Sequence, residues 1–138
     1  MTRLVVYGRS GFCPDMMRWD RWVRLHPLSY VEFDIDSDED ARDFVLRHTG
    51  HLSVPTLVIA PDDGFDPFEE PEPLNGRRTR GTDRGRMLTE PAEAQIAEFL
   101  ARHSIAFGGA GGDPSIVTPS IERAGRHRGM LRLTEADR

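Results

Sequence analysis

Tyr7-Gly8-Arg9-Ser10-Gly11-Phe12-Cys13-Pro14-Asp15-Met16 directly follows the apolar run Leu4-Val5-Val6 and contains the only cysteine of the chain. The run reads as a strand covered on both faces, because polar and apolar residues do not alternate in it. Residues 8–14 read as the hand-over from strand to helix. A glycine-containing turn leads to Pro14, which suits a first helical position because its missing N–H would have had no partner there. The Cys13 sulfur is thereby expected beside unpaired N–H groups and the positive end of a helix dipole. Such surroundings favour thiolate over thiol, so Cys13 is a candidate nucleophile. Arg9 adds positive charge upstream, and the Asp15 carboxylate acts in the opposite sense.

Outward from this stretch, Pro14 to about His26 carries Met16, Trp19, Trp22, Val23 and His26 near helical spacing, and Pro27 ends it. The two tryptophans read as core residues. Tyr30 to Ile35 alternates apolar and polar, as a more exposed strand does. Ser37-Asp38-Glu39-Asp40 predicts a capped helix start, Phe44 and Val45 supply its apolar stripe, and Gly50 closes it. The acids of residues 34–40 are read through this preference of helix N-termini for negative charge, not as a cation loop. His48 and His51 read as a solvated helix end, since no third metal ligand lies nearby in sequence. Pro55 to Ala60 is a second fully apolar strand, and Thr89-Glu90-Pro91 predicts the opening of a last helix whose face is Ala92, Ile96, Phe99, Leu100 and His103.

The order of elements predicts a layered α/β domain over residues 1–104, followed by an extension over 105–138. Two segments fit a core poorly. Residues 61–73 hold four prolines and six acids, and residues 77–86 hold five arginines. They suit either a solvated loop or an acidic arm folded against its own arginines. Gly108-Gly109-Ala110-Gly111-Gly112 reads as a flexible linker. Thr118-Pro119 predicts the cap of a short helix carrying Ile121, Ala124 and Met130, unless Gly125 and Gly129 leave the tail disordered.

At 138 residues the chain has room for one ordinary core, about two-thirds of its unfolded surface being buried on folding. One cysteine cannot form an internal disulfide, which excludes a disulfide-built secreted scaffold. The N-terminus lacks a basic region followed by a long apolar one, so no signal peptide or membrane span is expected and the cytoplasm is the default location. A net charge of −5 argues against general nucleic-acid binding. All 18 basic residues are arginine, so any anion contact must come from arginine, histidine, backbone or hydroxyl groups.

Gly8-Arg9-Ser10-Gly11 leading to Cys13-Pro14, together with Ser53-Val54-Pro55-Thr56 before the second apolar strand, resembles the glutaredoxins and related small members of the thioredoxin fold. The resemblance covers about residues 2–104. It implies a β-α-β-α-β-β-α thioredoxin fold with a four-stranded mixed sheet flanked by helices. The two apolar strands would be central, with the Tyr30 strand and an arginine-rich strand at the edges. It further implies that Pro55 is cis and close to the sulfur. The Val54 backbone would then pair with the extended cysteinyl part of a low-molecular-weight thiol. Gly81-Thr82-Asp83 resembles the turn that contacts the thiol before the last helix, making Thr82 and Asp83 expected binding residues.

The chain departs from the family where Met16 replaces the second cysteine of Cys-x-x-Cys, with Asp15 beside the sulfur and Phe12 inserted before it. The resemblance therefore implies a monothiol oxidoreductase. It would act on mixed disulfides between proteins and glutathione or another small thiol, as a monomer or weak dimer with no tightly bound cofactor. Cys13, Arg9 and Pro14 form the catalytic set, and Val54, Pro55, Thr82 and Asp83 the thiol-binding set. Two other readings stay open. One is a non-catalytic adaptor using the same groove. The other is a carrier of an iron–sulfur cluster bridged between two protomers, against which Pro14 weighs because cluster-binding relatives mostly have glycine there.

Overall fold

The computed structural model describes residues 2–67, 70–110, 112, 119–124 and 127. It is a mixed α/β arrangement with three helices and a six-stranded sheet among those residues. In chain order the elements are β1 (Thr2–Gly8), α1 (Pro14–Leu25), β2 (Tyr30–Asp34), α2 (Glu39–Thr49), β3 (Thr56–Pro61), β4 (Thr82–Asp83), β5 (Met87–Thr89), α3 (Glu93–Arg102) and β6 (Ile121–Arg123). Across the sheet the order is β4-β5-β3-β1-β2-β6. β1 runs parallel to β2 and antiparallel to β3, with Tyr7 opposite Phe33 on one side and Thr56 on the other.

The two apolar strands are central, as their composition demands. Leu4 to Tyr7 and Leu57 to Ala60 are each at most 1% exposed. A side chain of this kind contributes about 1.5–3 kcal/mol when fully buried, so these two runs dominate the core. Because successive strand residues face opposite sides, Tyr7 and Phe33 share one face of the sheet. There they stack with Phe44 of α2 at ring separations of 4.6 Å (Tyr7–Phe44) and 5.3 Å (Tyr7–Phe33). On the opposite face α1 contributes Met16, Trp19 and Trp22, with Trp19 edge-on to Tyr30. Both tryptophans are core residues, as read from the sequence.

Local signals account for the helix ends. Asp38 caps α2 by accepting from the Ala41 N–H at 3.1 Å, and Gly50 ends it at φ +79°. The last helix opens later than its sequence suggests. Thr89 belongs to β5, Glu90 and Pro91 form the turn, and α3 begins at Glu93, with Gln95 accepting from the Ala92 N–H at 2.9 Å.

Three expectations are corrected. The sheet has six strands: the arginine-rich segment supplies β4, Met87–Thr89 forms a separate β5 and Ile121–Arg123 forms β6. β2 is not an edge strand: Ile121–Arg123 adds to it as a parallel neighbour, in place of the helix expected from Thr118-Pro119. Met130 and Thr118 lie outside the described residues. The described glycines of the supposed linker are also tightly packed. Gly108 donates to the Pro27 carbonyl at 2.7 Å, and Phe107 is buried against Trp22. Gly109, at φ +80°, lies so near the end of α1 that an added Cβ would overlap the Leu25 carbonyl oxygen. Further along, His127 is 1% exposed, its Nε2 lying 2.5 Å from the Tyr7 hydroxyl. Burial pushes the Tyr7 hydroxyl pKa well up and the His127 pKa down.

The acidic arm is packed at a few points, while most of its described residues are partly or fully exposed. Phe65 and Pro71 are buried, and Phe65 packs edge-on against Phe33. Arg84, 8% exposed, donates to the carbonyls of Glu72 at 2.7 Å and His48 at 2.6 Å, tying the arm to the end of α2. Its partners there are backbone oxygens, not the acids of the arm.

Gly109→Ala should lower stability by roughly 1–3 kcal/mol, because it combines a left-handed backbone with a carbonyl overlap. Thermal unfolding checks this: Tm is expected to fall by about 3–10 °C. An unchanged Tm would mean that the glycine segment is not packed on the end of α1.

Candidate functional site

The site is built where β1 ends and α1 begins. Cys13 is the N-cap of α1, with extended backbone (φ −156°, ψ 118°) and no side-chain capping hydrogen bond. Pro14 is its first helical residue, as expected. The sulfur belongs to a residue of intermediate exposure that packs in part against the core. The residue as a whole is therefore neither fully buried nor fully exposed. Phe12, next to it, is 85% exposed.

Two carboxylates at the end of β2 hold the turn before Cys13. Asp34 Oδ1 accepts from the Ser10 N–H at 3.0 Å, and Asp36 Oδ2 accepts from the Gly11 N–H at 2.9 Å. Arg9 closes the clamp with a 2.8 Å bond to Asp36 Oδ1. The Arg9 guanidinium and the Gly11 N–H hold the Asp36 carboxyl below the usual carboxylate range. Much of the Arg9 charge is thus neutralised by Asp36. Sequence reading attributed this run of acids to the start of α2. That is right for Asp38 and misses the bonds of Asp34 and Asp36 to Ser10 and Gly11, more than twenty positions away.

Met16 stands where the resemblance would have a second cysteine. Its side chain is 6% exposed and lies over Gly8, where an added Cβ would come 2.6 Å from the Met16 methyl carbon. The bare backbone of Gly8 makes room for the methionine. Cys13 has no thiol partner in the chain.

The negative charge of Asp15 is answered by Arg80. Arg80 binds Asp15 through both guanidinium nitrogens at 2.7 Å and also reaches Glu90 at 2.6 Å. Arg18 adds a 2.9 Å bond to Asp15, whose carboxyl is held below its usual range, chiefly by Arg80. Glu90 sits in the left-handed region at φ +45°, rare for a residue with a side chain. Its N–H donates to the Pro55 carbonyl at 2.8 Å. A continuous chain of contacts thus runs from the first turn of α1 through Arg80 and Glu90 to Pro55. The Val54–Pro55 peptide is cis. Val54 precedes β3, and among the described residues its backbone groups take no part in the surrounding turn and loop hydrogen bonds.

Thr82 and Asp83 are placed differently from the resemblance. They form β4 at the sheet edge, and the turn that immediately precedes α3 is Glu90-Pro91-Ala92. The Asp83 carboxylate accepts from Arg102 at 2.6 Å and from the Gly85 N–H at 3.0 Å. The Thr82 hydroxyl donates to the Arg78 carbonyl. Cys13 and Pro14 are adjacent, Arg9 lies in the turn that leads to them, and contacts link the first turn of α1 to Pro55, whereas Asp83 is engaged with the far end of α3. Arg80, Glu90, Asp34 and Asp36 are the site-building residues that the sequence did not single out. Among the described residues no group of three or more His, Cys, Asp or Glu side chains is arranged to hold a metal ion. Nor is any of their helices long and apolar enough to cross a membrane.

Because the folded pKa of Asp36 is depressed, its stabilisation is fully present above the ordinary aspartate value of about 3.9 and is lost as pH falls through the lower folded value. Asp36→Asn should cost about 0.5–1 kcal/mol at pH 7, solvent screening included. Urea unfolding at pH 7 and near pH 2 checks this, the gap between variant and wild type closing in acid. Equal stability at pH 7 would show that the clamp contributes nothing. Comparison with known proteins found no matching family model, no matching curated protein and no matching solved structure.

Proposed function

We propose that this is a monothiol thiol-disulfide oxidoreductase on a thioredoxin-type core, acting on mixed disulfides between proteins and a low-molecular-weight thiol. The core would be β2-β1-β3-β5 with α1, α2 and α3, extended by β4 at one edge and β6 at the other. The observation that carries the reading is a lone, partly exposed cysteine at the N-cap of a proline-started helix. Its turn is clamped, and contacts tie its first helical turn to Pro55.

In this reading the Cys13 thiolate attacks the small-thiol sulfur of the protein mixed disulfide. A new S–S bond forms between Cys13 and the small thiol, the old one breaks, and the protein leaves as thiolate. A second free thiol, as thiolate, then attacks the adduct. It leaves as the oxidised disulfide of the small thiol and returns Cys13 as thiolate. The two electrons come from the small thiols, and no second protein cysteine is required. The helix N-terminal N–H groups stabilise the attacking and leaving charge on sulfur. Arg80 and Arg18 offset Asp15, which would otherwise oppose that charge. The Val54 backbone offers an unpaired edge to the extended cysteinyl part of the thiol, as in strand addition. Asp83, the other expected thiol contact, is paired with Arg102 in the unliganded chain.

The reading is tested by exposing the protein to the oxidised forms of glutathione, mycothiol and bacillithiol and weighing the adduct. A single adduct on Cys13 with one of them, released by the matching reduced thiol, is expected. Cys13→Ser should abolish turnover, and no adduct with any of the three would contradict the proposal. Arg80→Ala should keep the fold and slow turnover about two- to tenfold, since it leaves Asp15 less compensated near the sulfur. An unchanged rate would remove Arg80 from the account.

A further inference from the structure

α1 presents an exposed stripe opposite its buried face. Met16, Trp19 and Trp22 turn inward, while Pro14, Met17, Arg18, Arg21 and Arg24 line a surface groove of ≈ 350 Å³. Three guanidinium groups and no carboxylate line the groove itself. Elsewhere some described arginines pair with acids, as in Arg9–Asp36, Arg102–Asp83 and Arg123–Glu32, and others, such as Arg77 and Arg84, bind backbone carbonyls. Within the stripe Arg18 shares Asp15 with Arg80, and Arg21 meets Glu93 of α3 at the groove's border. Arg24, at the last turn, is exposed and makes no ion pair among the described residues, although Asp20 lies within reach of its field. Met17, 58% exposed, gives the groove an apolar floor beside these charges.

The groove starts at the residue after Cys13 and follows the helix axis. We propose that it docks an acidic peptide segment flanking the disulfide-bearing cysteine of a protein substrate. This deepens the oxidoreductase reading and rests on it for the identity of that cysteine. Charge complementarity commits the occupant: arginine guanidinium groups pair bidentately with carboxylates, and Met17 accepts an aliphatic contact between them. Spacing sets the register. With a helical rise of 1.5 Å per residue, Arg21 and Arg24 lie roughly 12 and 16 Å along the axis from Cys13. An extended peptide advances about 3.3 Å per residue, so the acids are expected roughly three to five residues from the substrate cysteine.

The test uses two ten-residue peptides, each with one cysteine joined to glutathione. One carries Glu at the third to fifth positions from that cysteine, and the other carries Lys there. Wild type is expected to favour the acidic peptide about five- to tenfold in kcat/KM at low salt, a preference that fades as salt is raised. Arg24→Glu should remove most of that preference and leave turnover of a small mixed disulfide of glutathione unchanged. Docking is read separately, by fluorescence anisotropy of the same peptides without the disulfide. Arg24-dependent, salt-sensitive binding of the acidic peptide by a protein that turns over no disulfide would keep the docking surface and overturn the oxidoreductase reading. Equal binding of both peptides, or a preference untouched by Arg24→Glu, would overturn the docking proposal.

Discussion

Two carboxylates holding two backbone N–H groups fix the position of everything else at this site. Asp34 and Asp36 leave the end of β2, accept from Ser10 and Gly11, and determine where the chain leaving β1 turns into α1. β1 and β2 are parallel neighbours, so their C-terminal ends emerge side by side and the acids need no long reach. A hydrogen bond to a charged acceptor contributes more than a neutral one, and here two of them act on a turn containing Gly8 and Gly11. Without them the turn would sample many conformations and Cys13 would lose its fixed place at the helix end. The clamp makes Pro14 useful as a helix start, because it delivers the chain to Cys13 already extended.

The second organising contact is Arg80, which brings an otherwise remote segment onto α1. Its guanidinium spans Asp15 and Glu90, and Glu90 in turn donates its N–H to Pro55. Asp15, Arg18, Arg80 and Glu90 together hold two negative and two positive charges, so the helix start remains nearly neutral. Arg84 performs a different task with the same side chain: buried, it binds carbonyl oxygens and anchors the arm to the end of α2. The arm and the glycine segment after α3 both pack on a core that the two apolar strands had already defined.

The fold was legible wherever a signal was local. Continuous apolar runs marked β1 and β3, Asp38 and Gly50 bracketed α2, and Pro27 limited α1. Signals failed where pairing was distant. β6 is three exposed residues, Ile121–Arg123, whose strand character comes from lying beside β2 and not from their composition. Gly109 suggested flexibility by composition, yet its lack of a side chain lets the backbone close on Leu25. At the site, the start of α1 at Cys13 and Pro14 was readable because turn chemistry is local, whereas the cis form of Pro55 was implied only by the resemblance. Asp34, Asp36, Arg80 and Glu90 were not readable, since each finds its partner across many residues of sequence. Thr82 and Asp83 were assigned from a motif shape, and the strand that separates them from α3, β5, is only three residues long.

The proposed chemistry requires a Cys13 sulfur that a reagent can reach at the start of α1. The most direct measurement compares the alkylation rate of Cys13 at neutral pH in the folded protein with its rate in urea. The account requires complete, single-site alkylation of the folded protein, faster than in the unfolded chain. Modification that occurs only after unfolding would contradict it.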